Sequence, residues 1–246
     1  KMASKVYKLH SHQKLTGYVK KFSVIEKNLL FEIAGDRIIA KTHTPDKSVV
    51  KIGSILVSDV MDAVGGENED VKIGIFSVDN FVGSFKHFGE NETRLEVRSD
   101  EISGGNVATE MKASSKNLKI SFPCASLSIF RYIDADLAKK IVDTTQAVFS
   151  FRIDKDTLTK ISALGALDSE NDILSIESKE SEVFIKGKSF ELNIPGVTVE
   201  NDGEISFYKS HLNFIDKEDA EVYVLDSKVI FKSLETDTTI VIGRVE

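Results

Sequence analysis

Apolar residues along this chain alternate between two periods. In some stretches they recur every three or four positions, which places them on one stripe of a helix. In others they recur every second position, which places them on one face of a strand. Four stretches have the helical period. In "SHQKLTGYVKKF", residues 11–22, the stripe is Leu15, Tyr18, Val19 and Phe22, and Ser11 is a candidate cap. In "DNFVGSFKHF", residues 79–88, it is Phe81, Val82, Phe85 and Phe88, with Asp79 as the cap. In "KDTLTKISALGA", residues 155–166, Leu158, Ile161 and Leu164 face inward and Asp154 or Asp156 caps the start. In "KSHLNFIDK", residues 209–217, Leu212 and Ile215 point inward and Ser210 is the cap.

Strand-like stretches precede these helices: "DVKIGIFSV" the second, "AVFSFRI" the third and "GEISFYK" the fourth. Hairpin-like alternation follows all four. The stretches are "NLLFEIAGDRIIAKTH" with a Gly35-Asp36 turn, "TRLEVRSDEIS", "DILSIESKESEVFIKG" and "AEVYVLDSKVIFKSLETDTTIVIG". The repeating unit is therefore strand, helix, antiparallel meander, four times over. It predicts an α+β chain of two similar domains, residues 2–121 and 149–246. A connector region, residues 122–148, departs from the pattern, and "DADLAKKIV" within it reads as a short helix or an ordered crossing segment.

Composition narrows the class. The 246 residues suit one large domain or two of about half that size. Apolar residues make up 41% and charged residues 29%, the mixture of a water-soluble globular protein. No apolar run approaches the roughly 20 residues of a membrane span, so no membrane partner is expected, and no signal peptide is expected either. Lys1, ahead of Met2, is set aside. The single Cys124 excludes an internal disulfide.

The formal charge is −7, which by itself argues against nucleic acid. Its distribution argues the other way. The four helical windows hold eight lysines, Lys14, Lys20, Lys21, Lys86, Lys155, Lys160, Lys209 and Lys217, against three aspartates. The helices are basic on an otherwise acidic chain. Lysines on solvated helices need no special role. Collected on one side, the same lysines would meet phosphates without reading bases, and binding would be weak and salt-sensitive. Two domains with helices on one side of their sheets make an arc. Arcs joined by their edge strands close into a ring with the helices lining the hole.

Several segments resemble the DNA polymerase sliding clamps, most closely the shorter trimeric clamps of T4-like bacteriophages. They are "IFSVDNFVGSF" at 75–85, "FPCAS" at 122–126, "FRIDKDTLTKI" at 151–161 and "GEISFYKSHLNFIDKEDAEVYVLDSKVIFK" at 203–232. The resemblance implies the sliding-clamp fold and a homotrimeric ring of pseudo-sixfold symmetry around double-stranded DNA. It implies an ATP-dependent clamp loader and a replicative DNA polymerase as partners, at replication forks in the cytoplasm of an infected bacterial host. Partner peptides would dock near the connector and the last strand, which points to Phe122, Pro123, Ile240, Val241 and Ile242. As subunit joints, an edge near "NVATEMKA" would pair with one near "SEVFIKGKS" of a neighbour.

Catalytic chemistry finds little support. His10 and His12 lack a third ligand nearby, and "DADLAKK" and "DKDT" do not continue as a calcium loop. "VGGENEDV" lacks the lysine and hydroxyl residue of a phosphate-binding loop and reads as an acidic turn, as Gly104-Gly105 reads as a hairpin turn. Cys124 has no adjacent base. No catalytic residue, metal site or cofactor is assigned, and the chain is expected not to be an enzyme. Two alternatives stay open: a repeated-sheet scaffold that binds proteins without encircling DNA, and an enzyme with a site at the domain junction.

Overall fold

The computed structural model describes residues 2–66, 69–103, 105–169 and 171–245. The chain divides into two compact units, residues 1–42 with 52–133, and residues 43–51 with 134–246. The glycine-rich turn around Glu67 and Asn68, and Gly104 of the Gly104-Gly105 pair, lie outside the described residues.

In the first unit, β1 (Met2–Leu9) leads into α1 (His12–Lys20), followed by β2 (Leu29–Ala34), β3 (Arg37–His43) and β4 (Val49–Leu56), of which residues 43 and 49–51 are counted with the second unit. A one-turn α2 (Val57–Val60), β5 (Met61–Gly65) and β6 (Val71–Ile75) precede α3 (Val78–Phe85). The long hairpin of β7 (Thr93–Ile102) and β8 (Gly105–Ser114) comes next, then β9 (Lys119–Pro123). The strand order is β4-β3-β2-β6-β8-β7-β1-β5, with β9 also on β8. The alternating residues of β2, Leu29, Phe31 and Ile33, are buried, as are Leu15, Val19 and Phe22 of the first helical stripe. Tyr18 joins the two layers: its Oη lies 2.8 Å from the Gly53 carbonyl and 3.1 Å from that of Ile38.

Residues 124–133 are strapped across this sheet. The Ala125 N–H donates to the Gly74 carbonyl at 2.9 Å. Gly74 lets the strap sit close, because a Cβ there would lie 2.5 Å from the Phe130 ring and 2.7 Å from the Ala125 carbonyl.

The second unit begins with α4 (Ala135–Ile141), which fills the place of "DADLAKKIV". The Lys228 ammonium closes its C-terminal end, donating to the carbonyls of Lys140 at 3.2 Å and Ile141 at 2.7 Å. Then come β10 (Phe149–Ile153), α5 (Lys155–Leu167), β11 (Ile173–Lys179), β12 (Glu182–Lys186), β13 (Glu191–Asn193) and β14 (Gly203–Tyr208). A 3-10 helix (Lys209–Phe214) leads to β15 (Ala220–Val224), β16 (Lys228–Ser233) and β17 (Asp237–Gly243). One sheet runs β10-β15-β16-β17 and a four-stranded sheet runs β13-β12-β11-β14.

Three local expectations change. The fourth helix is 3-10 and ends at Phe214, and no side chain caps it, so Ser210 is not its cap. A stripe of only two apolar residues does not distinguish the two helix types. The second expected helix, α3, is capped by Ser77, whose side chain accepts from the Asn80 N–H, while Asp79 sits in its first turn. Ser77 has φ 47, a left-handed conformation outside the usual extended cap.

Residues 43–51 are held in the second unit by buried polar contacts. Lys51 is fully buried, with its Nζ 2.7 Å from Asp216 Oδ1 and 3.4 Å from the Phe214 carbonyl. Asp216 Oδ2 is buried with no hydrogen-bond partner. Ser48 Oγ lies 3.3 Å from His211 Nε2, and the Gly243 N–H donates to the Ser48 carbonyl at 2.8 Å. Lys51→Ala strands the Asp216 carboxylate, and the unfolding transition of this unit should lose about 3–5 kcal/mol. The volume-matched pair Lys51→Met with Asp216→Leu should cost about 1 kcal/mol or less. Chemical denaturation of the two variants checks the contrast.

Candidate nucleic-acid interface and open sheet edges

In the first unit, Ser11 caps α1 by accepting from the Lys14 N–H. The buried face carries Leu15, Thr16, Tyr18 and Val19, which leaves Lys14 and Lys20 exposed on the other. Lys21 is half-buried. α3 packs beside α1, with the His12 ring 6.3 Å from that of Phe85. Lys86, just past α3, is exposed. The other histidine of this region, His10, lies 3.2 Å from Asp62.

In the second unit, Asp154 caps α5 by accepting from the Thr157 N–H at 2.7 Å. That bond, with one from the Thr157 side chain, holds its carboxyl below the usual carboxylate range. Leu158, Ile161 and Gly165 are buried, and Lys155 and Lys160 are exposed on the opposite side. Lys209 and Lys217 are engaged. The Lys209 ammonium donates to the Asp168 carbonyl at 2.5 Å and lies 3.8 Å from the Asp172 carboxylate. The Lys217 ammonium is against Ser162 Oγ on α5. Desolvation lowers its pKa although the residue is exposed. Of the eight lysines, five are thus exposed on helix surfaces with no side-chain bond among the described residues: Lys14, Lys20, Lys86, Lys155 and Lys160.

The residues marked for partner docking are placed differently from one another. Phe122 is half-buried among helix aromatics, its ring parallel to that of Phe85 at 5.7 Å and 5.1 Å from that of Phe81. Pro123 is exposed. Ile240, Val241 and Ile242 are all buried, so none of them offers an anchor at the surface. Large exposed apolar groups lie instead on the strap, at Ile129 and Tyr132, each about half exposed. The Tyr132 ring lies 4.5 Å from the Lys72 ammonium and 5.3 Å from that of Lys41. It borders a pocket lined by Leu30, Ile39 and Ile133. These residues fall outside any repeating period, so the sequence pattern does not single them out. Cys124, beside Phe122, has its thiol pushed up to about 12 by burial, which keeps it protonated.

The sheet edges also differ from expectation. The segment "NVATEMKA" lies in β8, which has β7 on one side and β6 and β9 on the other. The segment "SEVFIKGKS" holds β12, which lies between β11 and β13. Alternation marks these as strands but not which neighbours flank them. Among the described residues, β9 has only β8 beside it and β13 only β12, so both are open edges, as are the terminal strands β5, β10 and β14.

Hydrogen-bond alternation shows which groups these edges present. Cys124 N–H donates to the Thr109 carbonyl, and Leu118 accepts from Ser115. The even-numbered residues of β9 therefore bond β8. Lys119, Ser121 and Pro123 turn their backbone groups outward, where Pro123 has no N–H to offer. On β13, Ile194 N–H donates to Val183 and Phe190 accepts from Gly187. Glu191 and Asn193 thus face outward.

No protein-family model matches the chain, and no curated protein matches it in sequence. Its fold, however, is found in solved structures. It is similar to Proliferating Cellular Nuclear Antigen from Entamoeba histolytica, with TM-score 0.70 and 11% identity, over 98% of this chain and 99% of that one. It is similar at TM-score 0.69 and 11% identity to a structure of the C-terminal region of FEN-1 bound to A. fulgidus PCNA, over 98% and 99% of the chains. It is also similar to DNA polymerase III subunit beta from Borrelia burgdorferi, at TM-score 0.69 and 14% identity, over 98% of this chain and 65% of that one. The chain has the sliding-clamp fold, as its segments led one to expect.

The bonds of the lysines separate two groups by experiment. Lys20→Ala and Lys160→Ala should leave the unfolding midpoint unchanged. Lys209→Ala should lower stability by about 1–2 kcal/mol, because it removes a charged donor from a backbone carbonyl. Denaturant titration of the three variants tests this.

Proposed function

We propose that the chain is a sliding clamp that encircles duplex DNA and tethers a replicative DNA polymerase. The observation that carries this reading is the likeness of fold over 98% of the chain to PCNA and to the polymerase III beta subunit. Three copies close into a ring, with β9 of one copy pairing with β13 of the next. The exposed lysines of α1, α5 and the end of α3 face the phosphates. They make contacts that fix no base sequence, so the ring slides. Partner proteins dock on the strap, where Ile129 and Tyr132 supply apolar surface. The chain does no bond chemistry of its own, and an ATP-dependent loader opens the ring. The trimer and the kinship with phage clamps rest on the resemblance of the segments at 75–85, 122–126, 151–161 and 203–232.

Retention on DNA of defined topology tests the reading. Clamps loaded onto nicked circular DNA should stay bound through gel filtration at moderate salt and be lost when the circle is cut open. Ser121→Pro removes an outward N–H of β9 without touching a bond to β8, and should abolish retention. Equal retention on circular and linear DNA would refute encirclement. Loss of Lys20 or Lys160 should weaken DNA binding alike on all sequences and reduce the slope of log affinity against log salt by up to about 0.9 per phosphate contact.

A further inference from the structure

Two hairpins of the second unit turn in different ways. Between β11 and β12, the two central residues Glu180 and Ser181 have φ 54 and 68. Positive φ at both positions is the type I′ geometry, whose twist matches that of the flanking strands. Between β12 and β13, the Gly187 N–H donates to the Phe190 carbonyl at 2.9 Å, so Lys188 and Ser189 are the central pair. Neither has positive φ. A two-residue loop without it tends to splay its strands, and this turn needs support from outside.

Asp168, the residue after α5, supplies that support. It is buried, and its Oδ2 accepts from the Lys188 N–H at 2.7 Å and the Ser189 N–H at 3.4 Å. Successive N–H groups converging on one anionic oxygen form a small anion-binding concavity. Gly187 makes the approach possible: a Cβ there would lie 2.5 Å from Asp168 Oδ2 and 2.6 Å from the Phe190 ring. The acid at 168 and the glycine at 187 fit each other. The main chain of Asp168 is fixed in turn, since its N–H donates to the Leu164 carbonyl and its own carbonyl accepts from Lys209.

β13 is three residues long and, among the described residues, has β12 as its one strand neighbour. Its outward groups, on Glu191 and Asn193, begin two residues beyond the braced turn. We infer that Asp168 is the positioning residue of an interaction surface, the β13 edge, and presents that edge to a second copy of this chain. The inference rests on the ring reading for its partner, though not for its local geometry. It ties the C-terminal end of α5, and Lys209 with it, to the joint between copies.

The test uses the full chain in two readouts, amide exchange over residues 187–193 and solution mass against concentration. Asp168→Ala should speed exchange over 187–193 at least tenfold while β10 and β15 keep their protection. It should also move the association midpoint to at least tenfold higher concentration. Asp168→Asn, which keeps an acceptor without the charge, should fall between it and wild type. Gly187→Ala, which pushes the carboxylate away from the other side, should act like Asp168→Ala and covers the case in which that variant fails to fold. Glu180→Gly, in the self-supporting turn, should leave association unchanged. Unchanged exchange in both Asp168→Ala and Gly187→Ala overturns the brace. Faster exchange with unaltered association overturns its link to the edge. A wild-type chain that stays monomeric at every concentration overturns the docking role together with the ring reading, while the exchange result still decides the brace.

Discussion

A β-strand carries donors and acceptors along both sides, and a sheet that does not close on itself must leave some of them facing water. In this chain β9 and β13 are such edges, each short and each unable to pair for long. Pro123 removes a donor at the end of β9, and β13 spans three residues. Short and interrupted edges resist indiscriminate aggregation, yet they can still accept a strand of matching length. An edge in one unit and an edge in the other make a head-to-tail contact available, and repetition of one such contact builds a ring or a filament. The proposed function depends on which of these the contact produces.

Charge makes the ring reading coherent. The chain is acidic overall, yet its helix surfaces display Lys14, Lys20, Lys86, Lys155 and Lys160. Flexible ammonium groups in water gain modestly from each phosphate and are screened by salt. Such contacts hold a duplex without fixing its register, which suits a protein that must move along it. Lys209 and Lys217 belong to the same helical windows but are bonded to Asp168 and Ser162. Their positive charge contributes to the surface, while their geometry serves packing.

The period of the apolar residues was enough to locate three α-helices and to expect a three-to-four spacing in the fourth, because a buried stripe leaves that spacing whatever the neighbours are. Ser11 and Asp154 were recognisable as caps because both take the ordinary extended cap conformation. Ser77 was hidden, since its left-handed backbone has no signature in a one-residue pattern. The eight lysines could be counted in advance, but their bonds could not: Lys209 reaches a carbonyl 41 residues away. Strands were legible and their neighbours were not, so the joints were expected on β8 and β12, which have strands on both sides. Ile240, Val241 and Ile242 were marked for docking by the resemblance alone, and all three are buried. Asp168 and Gly187 carry no local motif, because their relation exists only when a helix end meets a distant turn.

The central claim is that the open edges join copies of the chain into a closed ring of fixed size. Light scattering during size-exclusion chromatography over a hundredfold range of protein concentration tests it most directly. A chain of 27.2 kDa should rise with concentration to a plateau at three times its own mass and go no further. A mass that stays at one chain, or one that climbs without limit as an open filament would, contradicts the account.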